Sequence, residues 1–154
     1  MLTLSERLVE RIDGQQSAGE QLVLPFELRS RSRLRTRLAS GEEVAVALPR
    51  GEILRDGDRL RASDGRIVEV RAAAETVSTA RGGDAQALVR AAYHLGNRHV
   101  ALQLGEGWLR YSHDHVLDDL VARLGLQVTV EQAPFEPEAG AYQPGVGRHE
   151  HSAP

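Results

Sequence analysis

The sequence predicts an α+β protein: a small all-β domain over residues 1–75, a ferredoxin-like βαββαβ domain over residues 76–142, and a flexible tail over residues 143–154. Three observations predict this division. The first half consists of short alternating apolar segments separated by glycine-containing turns, which is typical of β structure. In the second half, apolar residues recur twice at helical spacing. After Tyr142 the apolar pattern ends, as in segments that do not pack into a core.

The N-terminal domain is predicted to be a series of short strands. They cover residues 21–24, 29–38, 43–48, 59–62 and 66–72. Between them lie turn sequences that supply residues able to adopt positive φ: Ser40-Gly41, Arg50-Gly51, Asp56-Gly57-Asp58 and Asp64-Gly65. We interpret this half as a small all-β module.

The C-terminal domain is predicted to begin with a strand over residues 77–80 and a helix. The helix has apolar residues at helical spacing between Ala85 and Leu95. Asp84 is a suitable N-cap, and Gly96 is expected to end the helix as a C′ glycine.

A hairpin with strands over residues 100–104 and 108–112 is expected next. A second helix follows, capped by Ser112 or Asp114 and ended by Gly125, and residues 127–131 form a last strand. The order strand, helix, strand, strand, helix, strand is that of the split βαβ fold.

Composition excludes several kinds of chemistry. With 154 residues, of which 41% are hydrophobic, the chain can bury a core. Because the sequence contains no cysteine and no lysine, disulfides, thiolate metal sites, Schiff bases and P-loop phosphate binding are excluded. A net charge of -3 gives no overall attraction to nucleic acid. We recognise no signal peptide and no membrane span, so we expect a cytoplasmic protein.

The candidate ligands are histidines, and all 6 lie from His94 onward. His94 and His99 are five residues apart, about 140° around a helix, so they do not face one site. His94 is best interpreted as a last-turn residue beside the helix C-terminus. His99 lies beyond the predicted helix end, where its ring can project from a rigid element, although a satisfied structural histidine is the common alternative.

Two H-x-H pairs are further candidates. In extended geometry His113 and His115 share a face and can bind one divalent ion, while Asp114 either caps the helix or supports an imidazole. Two exposed histidines flanking a cap are the simpler alternative. His149 and His151 repeat the pattern in the tail. Imidazoles and carboxylates without thiolates suit Ni²⁺, Cu²⁺, Zn²⁺ or Co²⁺.

The spacing favours a metal carrier over a catalyst. A catalytic zinc site needs three converging ligands and a base, as in H-E-x-x-H, and this pattern is missing from the sequence. If His99 lay on the two-fold axis of a homodimer, two chains would present two imidazoles to one ion, and the tail could complete the ligand shell.

Arginines alternate with other residues over one further segment. The period of two predicts a strand with five guanidinium groups on one face: Arg29, Arg31, Arg33, Arg35 and Arg37. This face suits an acidic partner or nucleic acid, whereas a solvated strand that resists edge aggregation is an equally good interpretation. Nucleic acid is disfavoured because the second half has no strand of stacking aromatic residues.

Three segments carry a family resemblance. They are residues 93–99 (YHLGNRH), 109–119 (LRYSHDHVLDD) and 134–142 (PFEPEAGAY). In this order they closely resemble motifs of the urease accessory protein E (UreE) family. Members of that family are nickel metallochaperones of urease maturation. Residues 48–51 (LPRG) and 57–60 (GDRL) are also similar to that family's N-terminal module, so the resemblance covers nearly the whole chain. It implies that residues 1–75 bind partner proteins or peptides and that residues 76–142 bind metal and form a dimer.

The resemblance implies a set of metal ligands. It identifies His99 as the principal nickel ligand, shared across a homodimer interface. It assigns a peripheral metal site to His113 and His115, and it implies that His149 and His151 help to coordinate the interfacial ion. The tail carries one H-x-H pair where well-known members have a long histidine run, so bulk nickel storage is not expected.

The resemblance also implies the function. It predicts a non-enzymatic nickel chaperone that delivers Ni²⁺ to apo-urease, with Zn²⁺ or Cu²⁺ as further ions that bind. Its partners would be the urease maturation GTPase (UreG) and apo-urease with its other accessory proteins. Two other classes stay open: an RNA- or protein-binding adaptor that uses the Arg29 to Arg37 segment, and a hydrolase that uses His113 and Asp114, for which we find no nucleophile motif.

Overall fold

The computed structural model describes residues 1–9 and 19–140. They fold into two compact units, Met1–Ala73 and Ala74–Glu138. No helix in this described part of the chain is long and apolar enough to cross a membrane. The tail histidines His149 and His151 lie outside the described residues.

The first unit contains a sheet of six strands and one short helix. The strands are β1 (Leu2–Arg7), β2 (Glu20–Leu24), β3 (Arg33–Arg37), β4 (Glu43–Ala47), β5 (Arg59–Ala62) and β6 (Ile67–Ala72), and the helix α1 (Phe26–Arg29) lies between β2 and β3. The order across the sheet is β2-β6-β5-β1-β4-β3. The pairs β1–β4 and β2–β6 are parallel, and the other pairs are antiparallel.

The core of this unit follows from the alternation along its strands. A period of two places apolar side chains on one face of a sheet, where they become buried together. The buried core includes Leu4, Leu22, Leu24, Val44, Val46, Leu60, Val68 and Val70. The predicted β character of the first half is therefore confirmed, with one turn of helix added.

The start of the unit differs from the prediction in two places. Strand β1 was not predicted, because Leu2 and Leu4 are too short an alternating pattern to signal a strand without the neighbours β4 and β5. The strand predicted over residues 29–38 begins only at Arg33. The chain before it forms α1, in which the Arg29 N–H donates to the carbonyl of Pro25 at 3.0 Å.

The second unit is a four-stranded antiparallel sheet with two helices. The elements are β7 (Ala74–Arg81), α2 (Ala85–Asn97), β8 (Gln103–Gly105), β9 (Trp108–Ser112), α3 (His115–Arg123) and β10 (Gln127–Pro134). The strand order β10-β7-β9-β8 is that of the split βαβ arrangement. Its buried core joins Ala91 and Leu95 of α2, Val121 of α3, and Leu109 and Tyr111 of β9. The predicted α+β class is thus confirmed.

The two helices end in different ways. Gly125, with φ 98°, follows the last residue of α3 as predicted. In α2, the prediction that Gly96 ends the helix was wrong, because the helix continues to Asn97 and Arg98 is its C-cap. The residue with positive φ is instead His99, at 59°.

Candidate metal centre

His99 occupies the C′ position of α2. Its own N–H donates to the carbonyl of Gly96 at 2.9 Å, and the N–H of Val100 donates to the carbonyl of Leu95 at 3.1 Å. These two bonds are the 5→2 and 6→1 bonds of a Schellman motif. Val100 is half-buried against the core of the second unit, whereas His99 is exposed. The imidazole therefore projects into solvent from a backbone that is held firmly in place.

The backbone of His99 is unfavourable for its residue type. Within residues 1–9 and 19–140 it is the single non-glycine residue with positive φ. The left-handed region costs an L-residue roughly 1–2 kcal/mol relative to ordinary helical backbone, and glycine is the usual residue at C′. Glycine would serve the fold better at this position, so the imidazole that stands there is a candidate functional group.

His94 has a different environment. It lies in the last turn of α2, is half-buried, and places its ring edge-on to that of Tyr93 with the centroids 5.2 Å apart. A residue in this turn can interact with the negative end of the helix dipole. Its interpretation as a last-turn residue is confirmed.

The pair His113 and His115 does not form one extended segment. Asp114 is the N-cap of α3, and its Oδ1 accepts from the N–H groups of Val116 at 2.9 Å and Leu117 at 3.3 Å. Of the two roles considered for Asp114, the structure shows the cap. His115 is the first residue of α3 and is exposed, while His113 directly follows β9.

His113 contacts a polar network that the sequence did not reveal. Its Nδ1 lies 3.2 Å from Asp118 Oδ2 and 3.1 Å from the buried hydroxyl of Ser78. The hydroxyl of Tyr111, which is fully buried, donates to Asp118 Oδ1 at 2.8 Å. Burial, and then the hydrogen bond to Asp118, raise the pKa of the Tyr111 phenol, so the phenol stays protonated and acts as the donor.

One signal could have indicated Asp118. It lies four residues after the N-cap Asp114, so a helix that begins there brings it back toward the same end of the strand. Ser78 could not be found in this way, because its contact depends on the pairing of Ser78 with Tyr111 between β7 and β9.

No group of three or more histidine and carboxylate side chains is poised to hold a metal ion in the described ranges. None of His99, His113 and His115 belongs to such a group in this part of the chain. The predicted ligands His149 and His151 fall in the segment that the structure does not describe.

Comparisons with known proteins identify the family. The family model "UreE urease accessory protein, N-terminal domain" matches residues 6–73, and the model of its C-terminal domain matches residues 75–154. The chain belongs to the UreE family of urease accessory proteins. Membership makes it an accessory protein and not an enzyme, as the sequence predicted.

Three relatives show how far the similarity extends. The chain is 61% identical to a urease accessory protein UreE from Alkalilimnicola ehrlichii, over 92% of this chain and 85% of that protein. It is 49% identical to UreE from Nitrosospira multiformis, over 98% and 83% respectively. It is 53% identical to UreE from Burkholderia ambifaria over 86% of this chain, but spans only 65% of that longer protein.

The arginine face predicted for this UreE family member needs correction. Arg29 is fully buried in α1, where its Nε donates to the carbonyl of Leu24 at 3.0 Å and its Nη1 to that of Leu54 at 3.1 Å. Arg31 precedes β3 and pairs with Glu27 at 3.1 Å. The period of two was therefore misleading, because it continues through a helical turn in which Arg29 points inward.

Three of the arginines do alternate on an edge strand. Arg33, Arg35 and Arg37 are the exposed residues of β3, which lies at one end of the sheet. Arg37 is paired with Glu43 at 2.7 Å, whereas neither Arg33 nor Arg35 forms an ion pair within residues 1–9 and 19–140. Arg33 also lines a shallow cleft of about 610 Å³ together with Arg31 and Arg50. We call Arg31, Arg33 and Arg50 the basic cleft.

Proposed function

We propose that this UreE family member is a cytoplasmic nickel metallochaperone that delivers Ni²⁺ to apo-urease during assembly of the urease active site. The observation that carries the proposal is His99, an exposed imidazole held at a C′ position that favours glycine. Family membership supports the same role, since the matching relatives are named urease accessory proteins.

The proposed site is shared between two chains. One exposed imidazole per chain is a poor ligand set for a divalent ion, whereas a homodimer with His99 at its two-fold axis offers two. We infer that His149 or His151 of the tail completes the shell. An imidazole set without thiolate suits Ni²⁺, and it also accepts Zn²⁺ and Cu²⁺. His113 and His115 would form a peripheral site in the same domain.

This assignment gives the two domains different roles. We propose that residues 76–142 bind metal and form the dimer, and that residues 1–75 engage partner proteins. Contact with UreG, or with apo-urease and its other accessory proteins, would redirect the tail ligands and release the ion. An ion held by few, exposed ligands is suited to such an exchange.

A calorimetric titration with Ni²⁺ tests the interfacial site, with molecular mass measured in parallel. The variants are His99→Ala, a chain truncated after Tyr142, and His94→Ala as the matched control. We expect His99→Ala to remove the tight site while the dimer persists, truncation to weaken it, and His94→Ala to bind as the wild type does. Wild-type binding by His99→Ala would reject the interfacial assignment.

Arg33 and Arg35 on the edge strand β3 favour a second candidate function, a docking surface for an acidic protein partner. Arg33, which belongs to the basic cleft, and Arg35 are exposed on β3. An acidic partner would find in these two residues cations that form no ion pair within residues 1–9 and 19–140. We expect the double reversal Arg33→Glu and Arg35→Glu to weaken complex formation with the urease maturation proteins. Arg61→Glu reverses an exposed charge elsewhere on the sheet and serves as the control. Salt-dependent binding to RNA, if it appeared, would favour the RNA-binding alternative.

A further inference from the structure

The ring of His113 is connected to the interior of the second unit by a chain of polar contacts. Tyr111 on β9 donates its hydroxyl hydrogen to Asp118 Oδ1 at 2.8 Å. The other carboxylate oxygen, Oδ2, lies 3.2 Å from His113 Nδ1. Ser78 on β7 places its hydroxyl 3.1 Å from the same nitrogen. Two strands and α3 therefore contribute to the placement of one imidazole.

The donors and acceptors in this chain determine which ring nitrogen carries hydrogen. The hydrogen-bond partner of Nδ1 is the Ser78 hydroxyl, which can accept or donate, and the Asp118 carboxylate lies against the same nitrogen. Because an ionised carboxylate offers only acceptor oxygens, its position beside Nδ1 favours the tautomer with hydrogen on that nitrogen, with Ser78 Oγ as the acceptor. In neutral His113 this leaves the lone pair on Nε2, and it is an unprotonated nitrogen that binds a metal ion. Asp118 cannot turn away easily, because its side chain is only 17% exposed and its second oxygen is held by Tyr111.

We propose that Asp118, held by Tyr111, is a positioning residue that fixes His113 as its Nδ1–H tautomer and so prepares Nε2 to bind a divalent cation. The proposal rests on the metal-binding role proposed above for His113 and extends that role to the residues behind the ligand. It also distinguishes the two histidines of the motif. His113 is oriented before metal arrives, whereas His115 stands exposed at the first position of α3.

The tautomer can be measured on the metal-free full chain. Nitrogen-15 NMR of the imidazoles, at a pH where they are neutral, should show hydrogen on Nδ1 of His113 in the wild type. In Asp118→Asn the Tyr111 hydroxyl still favours the amide oxygen, so the amide NH₂ turns toward Nδ1 and the hydrogen moves to Nε2. A wild-type ring with hydrogen on Nε2, or a tautomer unchanged in Asp118→Asn, would overturn the proposal.

Asp119→Asn is the matched control for this substitution. It removes the same charge from the next residue of α3, where the side chain is exposed, and so reproduces any loss of interaction with the helix dipole. We expect the His113 tautomer to be unchanged in this variant. A shift of the same size in Asp119→Asn would assign the effect to helix charge and reject positioning by Asp118.

Metal affinity gives the second readout. In a Ni²⁺ titration of the full chain, the binding phase lost in His113→Ala identifies the peripheral site. Loss of the carboxylate behind a ligand histidine typically costs 10–100-fold in affinity, so Asp118→Asn should weaken that phase by roughly this factor. Tyr111→Phe keeps the carboxylate and removes one hydrogen bond, and we expect roughly a two- to tenfold loss.

The two proposals fail in distinguishable ways. If His113→Ala leaves every Ni²⁺ phase intact, the ligand role of His113 is wrong and the cation part of the inference is overturned with it, while the NMR result still decides the tautomer. If His113→Ala removes a phase that Asp118→Asn retains at full affinity, the ligand role stands and the positioning role is overturned.

Discussion

Replacing His99 by glycine should make the protein more stable while removing the metal ligand proposed above. The C′ backbone of α2 has φ 59°, a conformation that glycine adopts without steric cost and an L-residue does not. In most proteins the loss of a functional side chain and the loss of stability are difficult to separate. Here the structure predicts effects of opposite sign.

The magnitude follows from two opposing contributions. Relief of the left-handed conformation is worth roughly 1–2 kcal/mol. Glycine also loses more conformational freedom on folding, which subtracts about 0.4–1 kcal/mol. The net gain in the free energy of unfolding therefore lies between about 0 and 1.6 kcal/mol. Its central value of about 0.8 kcal/mol corresponds to a rise of roughly 3–6 °C in Tm for a domain of this size. His99→Ala retains the unfavourable φ and should change stability little.

Urea unfolding with a chelator present measures this difference. Trp108 is the single tryptophan of the chain. It lies on β9, so its fluorescence reports on the unfolding of the second unit. We expect His99→Gly to raise the midpoint above that of His99→Ala without a change in slope, at equal protein concentration. Nickel titration should show both variants to have lost the tight site. If His99→Gly were no more stable than His99→Ala, the strain argument for His99 would be wrong.

Gly125 provides the reciprocal experiment in the same domain. It occupies the C′ position of α3 with φ 98°, and a Cβ built there meets nothing within 4 Å. Gly125→Ala therefore tests backbone conformation without a steric clash, and it should lower the free energy of unfolding by about 1 kcal/mol.

Three further substitutions test other parts of the structure. Arg29→Met should destabilise the first unit by about 2–5 kcal/mol in urea unfolding, because two buried carbonyl groups lose their donors; a loss below about 1 kcal/mol would contradict the buried role. Asp114→Ala should cost about 1 kcal/mol by removing the cap of α3, again measured by urea unfolding. The Arg66 side chain donates a hydrogen bond to Glu42, which lowers the pKa of that carboxyl. The pKa of the Asp64 carboxyl is lowered chiefly by a hydrogen bond from the backbone N–H of Arg66, and further by one from its side chain. Their contribution to stability is therefore present at neutral pH and lost as pH falls through the lowered values, and NMR titration of Arg66→Gln should show both pKa values rising.

The fold was predictable wherever local pattern and tertiary pairing agree. The strands around Val44 and Val68 follow a clear period of two, and the apolar spacing from Ala85 to Leu95 is that of a helix. The prediction failed where a pattern continued across a change of structure. The alternating arginines run without interruption from Arg29 to Arg37, but the Arg29 guanidinium is buried against the carbonyl of Leu54, 25 residues away, and the strand begins only at Arg33.

The histidines of the candidate site could be predicted from the sequence, but the residues that hold them in place could not. Histidine spacing is visible in the sequence, so His113 could be proposed as a ligand directly. Its contact with Ser78 joins residues 35 positions apart and arises from the pairing of β7 with β9. Such contacts depend on strand register, and register can be assigned only once the pairing of the strands in the sheet is known.

The ends of α2 and α3 explain why Gly96 was misassigned and show why His99 is a candidate functional residue. Both helices finish with a residue of positive φ, yet α3 uses Gly125 and α2 uses His99, although Gly96 lies only three residues earlier. If stability alone determined the residue at C′, glycine would be favoured at both ends. Gly125 is thus a reference within the same unit, against which the stability cost of His99 at C′ can be compared. The His99→Gly variant measures the stability cost of keeping an imidazole at this position, and the nickel site proposed above gives that cost a functional reason.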